Sequence, residues 1–519
     1  MPEAPQSPAK TLEDALSQGD HRAVEHVIMS NVWPLYSWHY ELLIEAVSSL
    51  PTAVLERNQF LKILHPLTPV LARMSRPYFP MVTPDTAKTL TSDQLDLLVL
   101  AQMMASRISG DEESSIAHAK RLTNRIQNSR NTSREHPDGP LWYFHLQIGS
   151  TYLAAGSSSR ALTEFAVSRQ LAALTSLPDA ERLVLGRAAL THAVRGSLSE
   201  AERALLNCRS LASASPAHRA AAEATENVAD ALVQAERLSA EASEALSRLE
   251  PFDSFQMTWA FALLARTRYL NATRHPDEAL EIIHLTRETH PTQQGNFVLD
   301  VYESATIDAL IANGEITEAA EVARSSLPHK APLTHLALVR LALHSADLET
   351  ATRQLREVET SSKSGVGLRI EVALLTAWVQ FARAGSLDEV TAARVLQYGL
   401  QTRNRRLFSY LPIQLIEEVK SFASEAEAAS LTATLSGLSH GDLPTRPKLT
   451  NSELRVLQAL AQHQTTASIA KSFFVSPNTI KSHLQSLYRK LGCSTREQAV
   501  QEALRLGLVT RTSDVEESA

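Results

Sequence analysis

The amino-acid sequence predicts an all-α protein, in which a long array of paired helices is followed by a small C-terminal helical domain. Alanine and leucine dominate the composition, aromatic residues account for 5%, and only 17 of the 519 residues are glycine. A half-buried β-strand needs alternating β-branched residues, and the sequence contains no such run. This composition favours an extended helical array with one appended domain over several unrelated globular domains.

The first 94 residues divide into a short disordered start and a helical arm. Residues 1–10 are rich in Pro, Ser and Ala, and we expect them to be disordered. Across residues 11–94, apolar residues recur at helical spacing, with a turn at Gly19-Asp20 and a break at Pro51. We interpret this region as an N-terminal arm of successive helices.

The sequence also indicates where the protein works. No basic segment followed by an apolar core opens the chain, so we expect no signal peptide. No apolar stretch approaches the length of about 18 residues that a membrane-spanning helix needs, so we expect no membrane partner. The two cysteines, Cys208 and Cys493, lie far apart, which suits a reducing compartment. We therefore predict a cytoplasmic protein.

Residues 95–436 have the pattern of helix pairs with weak internal repetition. The clearest repeat consists of Gly149, Tyr152, Gly156, Ala161 and Phe165. Its spacing resembles the tetratricopeptide pattern, in which small residues let two helices approach and aromatic side chains fill the gap between repeats. The resemblance implies a stacked superhelix whose concave surface binds a protein or a small-molecule signal. Looser copies of the pattern occur at Tyr269 with Ala279 and Leu280, at Leu310 with Gly314, Ala319 and Ala323, and at Leu341 with Leu348 and Leu355.

Within this array no pattern is typical of catalysis. The sequence has no Gly-Lys pair, and a phosphate-binding P-loop needs one to neutralise a nucleotide phosphate. Scattered histidines such as His192 have no acidic or cysteine partner at metal-ligand spacing. We therefore expect no enzyme activity, no catalytic residue, no cofactor and no metal. We interpret residues 142–144, Trp-Tyr-Phe, as repeat core rather than a ligand cage, and the basic run at 403–406 as a solvated helix end.

The charge distribution separates the C-terminal region from the rest of the chain. Residues 437–447 break the helical periodicity, and we predict a linker that lets the following domain swing. From Pro447 to Arg511 the sequence has nine Lys or Arg and three Glu, a net charge of +6, whereas the remainder has 41 basic and 54 acidic residues, a net charge of −13. A basic domain on an acidic body is typical of a tethered nucleic-acid reader. We predict a DNA-binding domain at 448–511 and a frayed tail at 512–519.

Within this domain, residues of about 465–485 predict two short helices separated by a tight turn. Ser476 is a suitable N-cap, Pro477 a suitable first helical residue, and Gly492 a suitable C-terminal stop for the second helix. Apolar residues recur along that helix at i, i+4, i+7 and i+11, which predicts one buried face made of Ile480, Leu484, Leu487 and Leu491. The opposite face is polar and carries Asn478, Lys481, Ser482, Gln485 and Arg489.

This region resembles the LuxR-type helix-turn-helix family at many spaced positions. The matching positions are Leu449-Thr450 with Glu453, Ile469-Ala470, the run from Ser476 to His483, Lys490-Leu491-Gly492, Arg496, Ala499-Val500 and Gly507-Leu508. The resemblance implies a four-helix domain whose third helix enters the major groove of double-stranded promoter DNA. It also implies that the last helix pairs two copies of the domain on a two-fold site.

The same resemblance implies a role for individual residues. Base edges would be read by Lys481, Ser482 and Gln485, next to Asn478 on the same face. The DNA backbone would be contacted by Thr465, Thr466, Ser476, Thr479, Arg489 and Lys490. Dimerisation would involve Ala499, Val500, Ala503 and Leu504.

We interpret the chain as a cytoplasmic transcription regulator of bacterial LuxR type, under the control of its helical array. The N-terminal arm resembles the region that follows the nucleotide-binding half of large ATP-binding LuxR-type regulators, so the chain corresponds to the back half of such a protein without its ATPase domain. RNA polymerase is a further candidate partner. The alternative from another class is a helical-repeat interaction scaffold whose helix-turn-helix serves only for dimerisation. A nucleotide-hydrolysing switch would need the missing phosphate loop.

Overall fold

The computed structural model describes residues 7–58, 61, 90–129, 132–215, 218–249, 258–290, 295–325, 331–360, 365–401, 403–443, 449–462, 465–505 and 508–509. Within these residues there are 29 helices and no strand, which confirms the all-α fold class.

The helices of the N-terminal half have these bounds: α1 (Pro8–Ser17), α2 (His21–Ser30), α3 (Val32–Trp38), α4 (Tyr40–Ser49), α5 (Thr52–Arg57), α6 (Ser92–Ile108), α7 (Glu112–Asn128), α8 (Thr132–Glu135), α9 (Leu141–Ala154), α10 (Ser158–Ala172), α11 (Ala180–Val194), α12 (Leu198–Ser210), α13 (Arg219–Arg237) and α14 (Ala242–Ser247). The remaining helices are α15 (Trp259–Ala272), α16 (Pro276–Thr289), α17 (Asn296–Ala312), α18 (Ile316–Ser325), α19 (Pro332–His344), α20 (Leu348–Thr360), α21 (Val366–Ala384), α22 (Glu389–Gln401), α23 (Arg405–Ser409), α24 (Ile413–Ser421), α25 (Glu425–Thr434), α26 (Asn451–Ala461), α27 (Thr466–Ser472), α28 (Pro477–Leu491) and α29 (Arg496–Arg505). In the part of the chain described, no helix combines the length and the apolarity that crossing a membrane requires.

The chain divides into two compact units. The first unit comprises Met1–Val233, Ser243–Ala262 and Thr289–Val298. The second unit comprises Gln234–Ala242, Leu263–Glu288 and Leu299–Ala519.

In the first unit, neighbouring helices pack closely where small residues permit it. A Cβ atom at Gly149 would lie 2.6 Å from the ring of Phe165, so α9 and α10 can approach this closely only with glycine at that position. Gly156 ends α9 with φ at +70°, a conformation that favours glycine. The side chains of residues 142–144 are buried, and Trp142 and Phe144 have the environment expected of core residues.

The N-terminal boundary differs from the predicted one. Helix α1 begins at Pro8, and the Ser7 hydroxyl oxygen accepts a hydrogen bond from the Lys10 N–H group at 3.3 Å. Regular structure therefore begins within the stretch that the composition predicts to be disordered. The rest of that stretch, residues 1–6, and the predicted tail at 512–519 lie outside the described residues.

The second unit has an apolar core that runs from α19 to α25 and includes Trp378 and Phe408, both 1% exposed. The interpretation of residues 403–406 as a solvated helix end was wrong. Arg406 is 3% exposed, and its Nε donates to the Glu236 carboxylate at 2.9 Å. The arginine is buried because a carboxylate 170 residues earlier in the chain compensates its charge.

The first half of the predicted linker is irregular but attached to the second unit. The Gly441 carbonyl oxygen accepts a hydrogen bond from the Ile413 N–H group at 2.9 Å. Gln414 donates to the Asp442 carboxylate at 2.9 Å and accepts from the Leu443 N–H group at 2.9 Å. Residues 444–448 of the predicted linker lie outside the described part of the chain.

Candidate nucleic-acid interface

Helices α26 to α29 form the C-terminal domain around one apolar cluster of their own. The cluster includes Leu457, Ile469, Leu487 and Ala499, each of which is fully buried. Each of the four helices contributes one of these side chains. The predicted buried face of α28 is present, since Ile480, Leu484, Leu487 and Leu491 all belong to this cluster.

Local capping explains where α28 begins and ends. The Ser476 hydroxyl oxygen accepts a hydrogen bond from the Thr479 N–H group at 3.1 Å, and Pro477 occupies the first turn. Gly492 ends the helix with φ at +66°, where the left-handed conformation favours glycine. The predicted cap residues therefore have the predicted geometry.

A second cap connects α26 with α28. Thr450 and Glu453 form a capping box at the start of α26, in which the Glu453 carboxylate accepts from the Thr450 N–H group at 2.6 Å. The same carboxylate accepts from Lys490 Nζ at 2.7 Å. Burial alone would raise the pKa of Glu453, but the Lys490 ammonium and the capping hydrogen bonds outweigh it and lower the pKa to about 2. Lys490, one of the predicted phosphate contacts, is thus engaged within the domain.

The predicted polar face of α28 lies on the surface. Asn478, Lys481, Ser482, Gln485 and Arg489 are all exposed. The Ser482 hydroxyl donates to the Asn478 carbonyl oxygen at 3.1 Å. In the described part of the chain, the side chains of Lys481, Gln485 and Arg489 make no hydrogen bond and no ion pair. This face therefore presents two cations and an amide to solvent with their donors unused.

The other predicted phosphate contacts lie at the N-termini of α27 and α28. Thr465 is exposed and caps α27, since its hydroxyl oxygen accepts from the Ser468 N–H group at 3.1 Å. The neighbouring Thr466 is partly exposed. The hydroxyl groups of Ser476 and Thr479 lie 2.9 Å apart and are both exposed. Hydroxyl groups and helix N-termini are common contacts of phosphate groups.

The four predicted dimerisation residues on α29 have different environments. Ala499 and Ala503 are fully buried in the core of the domain. Val500 and Leu504 are partly buried at the edge of that core. The Leu504 carbonyl oxygen also accepts a hydrogen bond from the Thr317 hydroxyl on α18 at 3.0 Å, within the second unit.

Sequence reasoning predicted the turn between α27 and α28 but missed the exposed aromatic side chain within it. Phe474 is 96% exposed and has φ at +55°, a conformation that non-glycine residues rarely adopt. The preceding Phe473 is partly buried, and the Arg455 guanidinium stacks on its ring at 4.6 Å from the centroid. The signal was present as two large apolar residues directly before the predicted turn.

Comparison with known proteins agrees with this geometry. Residues 447–503 match the family model described as bacterial regulatory proteins, luxR family. The chain is 41% identical over 83 residues to the probable transcriptional regulatory protein NarL of Mycobacterium tuberculosis, a match that covers 16% of this chain and 38% of that protein. It is 42% identical over 59 residues to a putative HTH-type transcriptional regulator of Mycobacterium bovis, covering 11% of this chain and 7% of that protein.

A third relative is matched over most of its length. The chain is 39% identical over 66 residues to the spore germination protein GerE of Bacillus subtilis, covering 13% of this chain and 89% of that protein. The similarity to these relatives is thus confined to a small part of this chain. With its four-helix C-terminal domain and its match to GerE, the chain belongs to the luxR family of bacterial regulatory proteins.

Proposed function

We propose that this protein is a cytoplasmic, DNA-binding transcription regulator that reads the major groove with α28. The observation that carries the proposal is the exposed face of this helix, where Lys481, Gln485 and Arg489 have unused hydrogen-bond donors. Lysine pairs well with guanine acceptors and glutamine with adenine, so the face has the chemistry that base edges require. The net charge of +6 on residues 447–511 adds attraction to the phosphate backbone.

The surrounding residues have the chemistry for backbone contacts. Thr465, Thr466, Ser476 and Thr479 lie at helix N-termini, where the helix dipole favours a phosphate group. Arg489 extends the cationic face by one further turn. Lys490 is compatible with a phosphate contact, because an ammonium group has three donors and the Glu453 carboxylate accepts from one of them.

The domain would bind DNA as a homodimer through α29. Val500 and Leu504 are the partly buried apolar residues that could pair across a two-fold axis, whereas Ala499 and Ala503 would hold the helix in place from inside the domain. Such a dimer requires half-sites about one DNA turn, roughly 34 Å, apart. Val500→Asp would place an unpaired charge in the contact and should yield one bound domain per site in analytical ultracentrifugation with DNA.

The helical array would act as the sensor. Its helix pairs support the proposed tetratricopeptide-like superhelix, whose concave surface would bind a protein or a small-molecule signal. Control would work without nucleotide hydrolysis, because a signal that binds one arrangement of the array more tightly shifts the population of that arrangement. RNA polymerase is a candidate partner at the promoter.

The DNA-binding proposal is tested with the full-length protein on fragments selected from bacterial genomic DNA. Lys481→Ala should relax the preference at one base position and cost roughly 1–3 kcal/mol on the best site. Lys471→Ala is the matched control, since it removes an exposed lysine of the same domain that lies outside the polar face of α28. This control should weaken all sequences slightly and alike.

The same DNA-binding measurements distinguish the regulator from the alternative function, an interaction scaffold. A scaffold whose helix-turn-helix serves only for dimerisation would bind no fragment at any salt concentration. For the regulator, the logarithm of the affinity should fall with the logarithm of salt concentration by about 0.9 for each phosphate contact. If Lys481→Ala and Lys471→Ala had the same effect on every sequence, the groove assignment would be wrong.

A further inference from the structure

Two arginine side chains of the first unit have a buried nitrogen atom without a hydrogen-bond partner among the described residues. Arg107 lies on α6 and Arg187 on α11. Neither guanidinium forms an ion pair with a carboxylate in the described part of the chain. Both side chains are partly exposed, and one nitrogen atom of each is buried. Burying part of an unpaired guanidinium is costly, so a fold that does this twice needs a reason.

Arg107 is held in a fixed orientation by neutral acceptors. Its Nη1 donates to the Gln147 backbone carbonyl and to the Thr151 hydroxyl, both at 3.1 Å, and its Nη2 donates to Gln147 Oε1 at 2.8 Å. The Nε atom is buried and has no hydrogen-bond partner. Gln147 and Thr151 therefore orient the guanidinium without neutralising it, and one donor is left for another acceptor.

Arg187 has fewer contacts still. Its Nη1 is buried without a hydrogen-bond partner, and no described side chain accepts from its guanidinium. Burial, and then the neighbouring charge of Arg187, lower the pKa of Arg107 to about 9. Burial lowers the pKa of Arg187 to about 10. The helices that carry the two arginines, α6 and α11, both pack against α9. An anion bound by both guanidiniums would offset the repulsion between their charges.

A tyrosine completes the cluster. Tyr143 lies on α9 four residues before Gln147 and eight before Thr151, and therefore on the helix face that holds the Arg107 guanidinium. Its hydroxyl lies 3.3 Å from the Tyr36 hydroxyl. Burial raises the pKa of Tyr36 well above its ordinary value, so this group stays a neutral hydrogen-bond donor at physiological pH. Two guanidiniums and a phenol are typical of sites that bind carboxylate or phosphate oxygens.

We propose that Arg107, Arg187 and Tyr143 bind a small oxyanion, either a carboxylate or a phosphate group, in the first unit. The bound oxygens would supply the acceptors that Arg107 Nε and Arg187 Nη1 lack. The proposal deepens the sensor role of the helical array and rests on it for its regulatory meaning. It names the chemical class of the signal, and the charge of that signal would be the feature recognised.

The test uses full-length protein and two probes, inorganic phosphate and succinate, with sodium chloride at matched ionic strength as the reference. Isothermal titration calorimetry should detect saturable binding of at least one probe, and the thermal unfolding temperature should rise with its concentration. Binding of phosphate alone would identify a phosphorylated ligand class, and binding of succinate alone a carboxylate class. The absence of binding of both probes beyond the chloride reference overturns the proposal.

Variants connect the binding to the two arginines. Arg107→Gln and Arg187→Gln should each lower the affinity at least tenfold, and Arg187→Lys should lower it less because it keeps the charge. Arg203→Gln is the matched control, since it removes an exposed guanidinium of the same unit and should leave binding unchanged. Without a probe, Arg187→Gln should unfold at the same or a higher temperature than the natural protein, so loss of binding cannot be attributed to unfolding. Unchanged affinity in Arg187→Gln would overturn the proposal.

DNA binding by the same preparations is measured separately and without either probe. Loss of anion binding with intact DNA binding would contradict the proposed oxyanion site and leave the proposed DNA-binding function unaffected. Loss of DNA binding with intact anion binding would contradict the proposed regulator function and leave the proposed oxyanion site unaffected.

Discussion

Each compact unit contains a cluster of arginine side chains, and the two clusters are built in opposite ways. In the second unit, Arg340 donates to Asp308 at 2.7 Å and also to Glu371, while Arg406 pairs with Glu236. Burial alone would lower the pKa of Arg340, but the charges of Asp308 and Glu371 outweigh it and raise the pKa above its ordinary value. In the described part of the first unit, no carboxylate forms an ion pair with Arg107 or Arg187.

The difference separates charge used for stability from charge available for a ligand. Arg268 also pairs with Glu236, so three arginines in the second unit face three carboxylates. The cavity beside them has a volume of about 20 Å³, which is enough for about one water molecule. The cluster in the second unit is thus charge-paired and leaves space for about one water molecule, whereas the described residues around Arg107 and Arg187 include no carboxylate paired with either arginine.

The largest expected effect comes from breaking the paired cluster. Arg340→Met leaves Asp308 and Glu371 buried without their cation, and should lower the free energy of unfolding by about 3–5 kcal/mol. Arg187→Met, the same change in the first unit, should alter it by less than about 1 kcal/mol, because no carboxylate loses its partner. Urea denaturation of both variants measures the contrast. Equal losses in the two variants would contradict the distinction between the clusters.

The ion pair between Glu453 and Lys490 in the DNA-binding domain should have a smaller effect on stability. Because the pKa of Glu453 falls from 4.5 to about 2 on folding, its stabilising contribution is complete above pH 4.5 and is lost as the pH falls toward 2. After allowance for solvent screening, the pair with Lys490 should contribute about 1 kcal/mol. Glu453→Gln should remove this contribution at neutral pH and flatten the stability profile between pH 5 and pH 2, measured by hydrogen exchange of α26 and α28. A variant with the unaltered acid profile would show that other carboxylates dominate.

The smallest expected effect concerns backbone conformation rather than charge. Phe474→Gly should stabilise the domain by about 0.5–1 kcal/mol, because glycine adopts the left-handed conformation without steric cost and the exposed ring loses no packing. Phe474→Ala is the control, since it removes the ring and keeps the strain, and should give no gain. The change is measured as a shift in the thermal unfolding temperature. If both variants gained equally, removal of an exposed apolar ring would be the cause.

Patterns within a short stretch of sequence, such as helix caps and apolar periodicity, predicted the DNA-binding domain better than they predicted the helical array that precedes it. The bounds of α28 follow from Ser476, Pro477 and Gly492, which act on residues within one helical turn, and its buried face follows from apolar periodicity. Arg406 was misjudged because its partner, Glu236, is distant in sequence and no local pattern relates the two. The same limit applies to the Arg107 cluster, whose members come from three helices that only the folded chain brings together.

The attachment of residues 437–443 to the second unit limits how far the DNA-binding domain can travel. Six chain steps separate Leu443 from Leu449, and in any conformation they span at most about 21 Å. A domain held within such a distance experiences its own body at an effective concentration in the millimolar range. The contact between α18 and α29, which includes the hydrogen bond from Thr317 to the Leu504 carbonyl oxygen, therefore needs an intrinsic dissociation constant only below about 1 mM to be formed most of the time. A signal that weakens this contact only slightly would release α29, the helix proposed to pair two copies on DNA.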